Sequence, residues 1–171
     1  MNEIREIVTK AIVGKGKKII RIKDSVTPKN EAFSILGCWI INHEFEATLI
    51  DNKVEVAGNF EANIWYSYDE NTKTDIAKKI IGYSEVIKTR QIVKEVSSDS
   101  SDVIVRILQQ PTCTNAKITD SGLELEIVFE VVAEVIGETK MMVTVFTSVD
   151  SVETLEDDFE NEIDENFMNV N

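Results

Sequence analysis

Residues 52–75, NKVEVAGNFEANIWYSYDENTKTD, alternate so regularly that they leave little choice of conformation. Val54, Val56, Gly58, Phe60, Ala62, Ile64, Tyr66 and Tyr68 fall on one face of an extended chain, and Glu55, Asn59, Glu61, Asn63, Trp65 and Ser67 on the other. A helix would scatter both sets around its circumference, so the segment is a strand buried on one side. It exceeds the usual strand length of about 5 to 6 residues, and a bulge is cheap at Gly58, where a bend is expected. Trp65 is the exception on the polar face, because a large indole there needs a second surface to cover it.

The strand occurs twice. Displaced by 69 positions, Ala47, Leu49, Asp51, Val54, Glu55, Val56, Phe60 and Glu61 lie over Ala116, Ile118, Asp120, Leu123, Glu124, Leu125, Phe129 and Glu130. Upstream, Ile35 and Leu36 lie over Ile104 and Val105, and at a displacement of 67 Thr72 and Lys73 meet Thr139 and Lys140. The expected organisation is an internal duplication, with a first β unit over residues 1–83, a second over 84–148 and an acidic tail over 149–171.

Turn signals between the strands predict a mainly β fold of two tandem, related β-sandwich-like units. Ile4, Ile7, Ala11 and Ile12 form a helical stripe, which predicts a short N-terminal helix passing into a strand. Residues 14–18 read as a turn and 19–26 as a strand. Residues 34–41, SILGCWII, are continuously apolar, as in a strand covered on both faces. Asn42 and His43 then turn the chain into the next strand. Residues 76–86 are a strand by their place in the repeat, and SSDSSD at 97–102 is a loop.

Charge is unevenly placed. Nine of the 31 acids lie beyond Val149, where there is no Lys or Arg, leaving 22 acids against 18 bases in the body. A chain with a net charge of −13 is a poor partner for nucleic acid or an anionic membrane, since each phosphate contact needs a cation. No run of about 18 uncharged apolar residues exists, so no membrane insertion is expected. The start, MNEIREIVTK, lacks the apolar core of a secretory signal, and synthesis in a cytosol is expected. Lys15, Lys17, Lys18, Arg21 and Lys23 form the only basic cluster, which reads as a solvated strand edge. In the tail Val152, Leu155, Phe159, Ile163 and Phe167 recur at three- and four-residue steps. Like charges keep such a segment disordered alone, yet it can fold as an amphipathic helix in a partner's groove.

Reactive constellations are wanting. His43 is the only histidine and has no nucleophile motif beside it. Cys38, His43 and Cys113 lack the paired spacing of a zinc site. Asp69, Asn71 and Asp75 resemble an oxygen-rich calcium loop, but Lys73 takes a ligand position. GKGKK at Gly14 lacks the strand and helix that give a phosphate loop its meaning. Neither catalysis, a metal nor a cofactor is expected. Cys38 and Cys113 read as small apolar core thiols, with later oxidation open to them.

ILGCWIINHEFEA (35–47), NIWYSYDENTKT (63–74), ILQQPTC (107–113) and AEVIGETK (133–140) resemble signature segments of the outer spore-coat morphogenetic protein family CotE of endospore-forming bacteria. The resemblance runs in order over residues 3–140; the loop at 97–102 matches only in polarity and the tail only in acidity. It implies a non-enzymatic scaffold, made in the mother-cell cytoplasm, that surrounds the forespore, assembles with itself and recruits outer-coat proteins. Within that expectation Phe60, Trp65, Tyr66 and Tyr68 are the aromatic candidates for self-assembly. Lys15, Lys17, Lys18, Arg21 and Lys23 are candidates to meet a neighbour's acidic tail. Leu155, Phe159, Ile163 and Phe167 are candidates for client binding, and Cys38 and Cys113 for a late cross-link in the coat. The alternative is a monomeric binding module presenting its acidic, helix-forming tail to one receptor.

Overall fold

The computed structural model describes residues 2–93 and 101–146. Among these there are seven strands and no helix: β1 (Asn2–Val26), β2 (Ala32–Ile50), β3 (Lys53–Tyr68), β4 (Lys73–Lys88), β5 (Arg90–Gln91), β6 (Asp102–Thr119) and β7 (Gly122–Phe146). One sheet has the order β2-β3-β4 and the other β5-β1-β7-β6.

The long alternating segment is β3, the central strand of its sheet. Its even positions from Val54 to Tyr66, except Gly58, are fully enclosed. They share one interior with Leu123, Ile127, Phe129, Val131 and Ala133 of β7, the counterpart strand in the other sheet. Alternation thus does here what it does in any sandwich, directing every second side chain of both sheets into one core.

Turn chemistry sets the hairpins. Asp51 and Asn52 both have positive φ, 46° and 62°, the left-handed pair that joins tightly twisted antiparallel strands. Asp69, Glu70 and Asn71 do the same before β4, where the Thr72 amide donates to the Asp69 carbonyl at 3.1 Å. The hairpins β2–β3 and β6–β7 have the same register at their tips. Ile50↔Lys53, Leu49↔Val54 and Thr48↔Glu55 correspond to Thr119↔Gly122, Ile118↔Leu123 and Lys117↔Glu124 at a displacement of 69 residues. The two hairpins lie in different sheets. Residues 83 and 84, the expected unit boundary, both fall inside β4.

Two units separate by compactness, residues 8–140 and residues 1–7 with 141–171. In the smaller one, the described residues are the start of β1 and the end of β7, with Ile4, Met141, Met142 and Phe146 exposed.

Four local expectations are corrected. The N-terminal helix and the turn at 14–18 are both part of β1, which runs unbroken to Val26. Burial follows odd positions through Thr9, Ala11 and Val13, then even positions from Gly16 to Val26. The helical stripe itself lies before this change of phase: Ile7 and Ala11 sit on the inner side of β1 and Ile4 and Ile12 are exposed on the other, so apolar residues on both faces of one strand mimic helical spacing. At Asn42 and His43 the strand does not turn; Asn42 has φ 54° and the register slips between Ile41 and Glu44, a bulge within β2. The bend expected at Gly58 is therefore on the neighbouring strand, since β3 pairs with β4 without a slip. Gly58 answers a different need, because a Cβ there would lie 2.3 Å from the Glu44 carbonyl oxygen, which the bulge brings over it.

Side chains close the two flanks of the sandwich differently. On one, Lys18 Nζ of β1 donates to Glu85 at 2.5 Å and to the Val86 carbonyl at 3.1 Å on β4, and Lys79 Nζ of β4 donates to Asp24 at 2.8 Å. On the other, β2 and β6 pack their apolar faces together.

Candidate assembly surface

The odd positions of β3 look outward, and strand pairing tells what stands beside them. Trp65 lies opposite Gly37 on β2 and Ile76 on β4; Asn63 opposite Trp39 and Lys78; Glu61 opposite Ile41 and Ile80. Directly opposed residues share a face, so Trp39, Ile41, Trp65, Ile76 and Ile80 are neighbours on the outer surface of the three-stranded sheet. All five are exposed, Trp65 at 42% and Ile80 at 69%. Trp39 lies over Gly37, where a Cβ would meet its ring at 2.9 Å, so the glycine makes room for the indole. Asn63, enclosed by Trp39 across the sheet and Trp65 two residues on, is only 3% exposed, and its amide donates to Glu61 at 3.0 Å. Glu61 and Lys78 are the charged positions among these neighbours, and Glu44, Glu46 and Glu55 stand further along the same face.

Of the aromatic residues singled out from sequence, only Trp65 belongs to this surface. Phe60 and Tyr66 have no exposure, and Tyr68 packs partly buried against the same core. Trp39, Ile41, Ile76 and Ile80 were missed. Residues 34–41 read as covered on both faces, but the other sheet packs on the inner face of β2 alone, leaving Leu36, Trp39 and Ile41 outside. Their signal was the tryptophan in that apolar run, whose partner across the sheet is decided by register.

The basic cluster divides by strand face. Lys15, Lys17, Arg21 and Lys23 look outward from β1, whereas Lys18 looks inward to Glu85. Arg21 and Lys23 both approach Glu126 of β7, at 3.5 and 3.8 Å, which offsets part of their charge. Leu155, Phe159, Ile163 and Phe167 lie outside the described residues.

His43 is not the polar turn residue that its sequence context suggests. The bulge of β2 points it inward, where its ring lies 5.4 Å from those of both Phe45 and Phe129 and its Nε2 is 2.6 Å from the Tyr83 hydroxyl. Burial lowers its pKa, opposed by a hydrogen bond with Gln110, and burial pushes the Tyr83 phenol up to about 12. Both groups are thereby held neutral near neutral pH. The pair and Gln110 are hydrogen-bonded beside an aromatic cluster drawn from both sheets. Cys38 and Cys113 are brought into contact with each other across the β2–β6 flank. Among the described residues, no three His, Cys, Asp or Glu side chains converge as metal ligands would.

The comparison with protein families decides the identification. The model of one family, outer spore coat protein E (CotE), matches residues 3–171. The chain belongs to this family. No curated protein and no solved structure matches it. CotE membership makes it a structural protein of the outer spore coat, with other coat proteins as its surroundings. Among the described residues no helix is long and apolar enough to cross a membrane.

Proposed function

We propose that the protein is a non-enzymatic morphogenetic scaffold, made in the mother cell, that assembles with itself around the forespore and recruits outer-coat proteins. The observation that carries self-assembly is the outer face of β2–β3–β4, where Trp39, Ile41, Trp65, Ile76 and Ile80 adjoin one another in the open. Isolated exposed apolar residues are ordinary, but contiguous ones with two indoles at their centre have the composition of an interface core. A second copy of the chain is the occupant, with the outward lysines of β1 meeting the acidic tail of a neighbour. The matching hairpin registers favour descent of the two sheets from one duplicated unit.

Light scattering on the reduced, purified protein across a range of salt tests this reading. Multimers or larger particles are expected, with Trp65→Ser giving smaller ones while the circular dichroism of the sheets is retained. A monomer at every salt would overturn self-assembly and favour a module that presents its tail to one receptor. Unchanged particle size in a folded Trp65→Ser protein would remove the outer face from the contact.

A further inference from the structure

Cys38 and Cys113 stand at the centres of β2 and β6, the facing outer strands of the two sheets. Each points inward. Cys38 pairs with Ile64 of β3 and Cys113 with Ile127 of β7, both wholly buried, and the two sulfurs pack partly buried against the same core. The thiols are hydrogen-bonded to one another. That bond, with burial and the charge on Cys113, raises the Cys38 pKa and keeps it a thiol. It lowers that of Cys113 against the effect of burial, while the Cys113 thiol also donates to the Asn115 carbonyl at 3.3 Å. The two thiols thus stand together on the inner faces of facing strands, the arrangement that a nucleophile and its resolving partner need.

We propose that Cys38 and Cys113 form an intrachain disulfide that staples the two sheets together along the β2–β6 flank when the protein meets a peroxide. The Cys113 thiolate attacks one peroxide oxygen; the sulfur–oxygen bond forms, the oxygen–oxygen bond breaks, and the departing hydroxide takes a proton to leave as water. Cys38 then attacks the Cys113 sulfur. The sulfur–sulfur bond forms as the sulfur–oxygen bond breaks, and the Cys38 proton leaves with the hydroxyl as a second water. Two thiols have lost two electrons and one peroxide has gained them. Both cysteines are half-buried rather than sealed, so a small oxidant reaches them, while another chain's thiol must displace the partner already in contact. The bond stands independently of self-assembly, for it needs only one folded chain.

The test exposes the full-length, reduced protein to hydrogen peroxide at low concentration and maps its peptides without reduction. A single linkage of the Cys38 and Cys113 peptides is expected, with both free thiols lost, the mass of one chain kept in denaturant, and a higher urea midpoint that dithiothreitol reverses. Cys38→Ser should leave Cys113 as a sulfenic or more oxidised acid and show no rise in midpoint. Two thiols persisting in the wild type would overturn the proposal. Linkage only between chains, or overoxidised Cys113 beside a free Cys38 in the wild type, would overturn it equally.

Discussion

Two glycines in adjacent strands should respond to the same substitution in opposite ways. Gly58 of β3 points inward between Phe45 of β2 and Tyr83 of β4, its partners on either side. An alanine methyl there would lie 2.3 Å from the Glu44 carbonyl oxygen, 2.8 Å from Phe45 Cβ and 2.9 Å from the Tyr83 hydroxyl. The first of these is backbone in a bulge and cannot swing aside, so the strands must part, at the cost of about 1 to 3 kcal/mol usual for overpacking. Gly82, opposite Asn59, points outward, and its methyl would find only the Gly58 carbonyl oxygen, at 3.8 Å. Relief of unfolded-state entropy then dominates and should stabilise by about 0.4 to 1 kcal/mol. With a urea slope of about 2 kcal/mol per molar, the Gly58→Ala midpoint falls by about 0.5 to 1.5 M and the Gly82→Ala midpoint rises by a few tenths. Urea unfolding followed by tryptophan fluorescence measures both. Equal midpoints for Gly58→Ala and wild type, or an equal fall in both variants, would refute the account of how the bulge packs over β3.

The His43–Tyr83 pair should shape the dependence of stability on pH at both ends. Burial lowers the histidine pKa in the fold, so the stability its neutral ring contributes is complete above about pH 6.5 and is lost as pH falls through the folded value. His43→Gln should flatten that acid limb in urea midpoints measured from pH 8 downward. The Tyr83 pKa is raised from 10.0 to about 12, so its contribution is complete below pH 10.0 and is lost as pH rises towards 12; Tyr83→Phe should remove this alkaline limb. If acidic tails meet the outward lysines of β1, deleting residues 149–171 should reduce particle size most at low salt, where charges are least screened. An unaltered salt profile by light scattering would rule that pairing out.

Where side-chain alternation was unbroken, structure could be read directly from sequence. β3 from Val54 to Tyr66 and β7 from Leu123 to Val135 keep one apolar side in strict alternation, Gly58 apart, and these inward residues are the core. Alternation misled where a strand is apolar on both faces or changes phase. In β1 the apolar residues Ile4 and Ile12 on the outer face interleave with Ile7 and Ala11 on the inner one, which gave helical spacing in a chain that is extended throughout. In β2 the bulge at Asn42 and His43 put two polar residues in succession, the signature of a turn, although the strand continues to Ile50. A bulge costs one ladder position and spares the pairing on either side, so it can hide where local residue types signal a break. His43 owes its place in the aromatic cluster to that bulge.

The outer surface was illegible for another reason. Alternation says which residues share a face, but whether anything covers that face depends on how the sheets are layered, which is set by contacts between residues far apart. Trp65 could be recognised as displaced because its own neighbours on β3 are polar. Trp39 could not, because every residue around it in SILGCWII is apolar or small and a doubly covered strand accounts for them all. Once β2 is placed in a two-layer sandwich, whose second sheet covers only its inner face, that account fails for Leu36, Trp39 and Ile41, which are exposed. Register then sets Trp39 and Trp65 on either side of the nearly enclosed Asn63. An apolar run suited to burial on both faces, folded so that one face stays open, keeps exposed the area that the proposed self-assembly would cover.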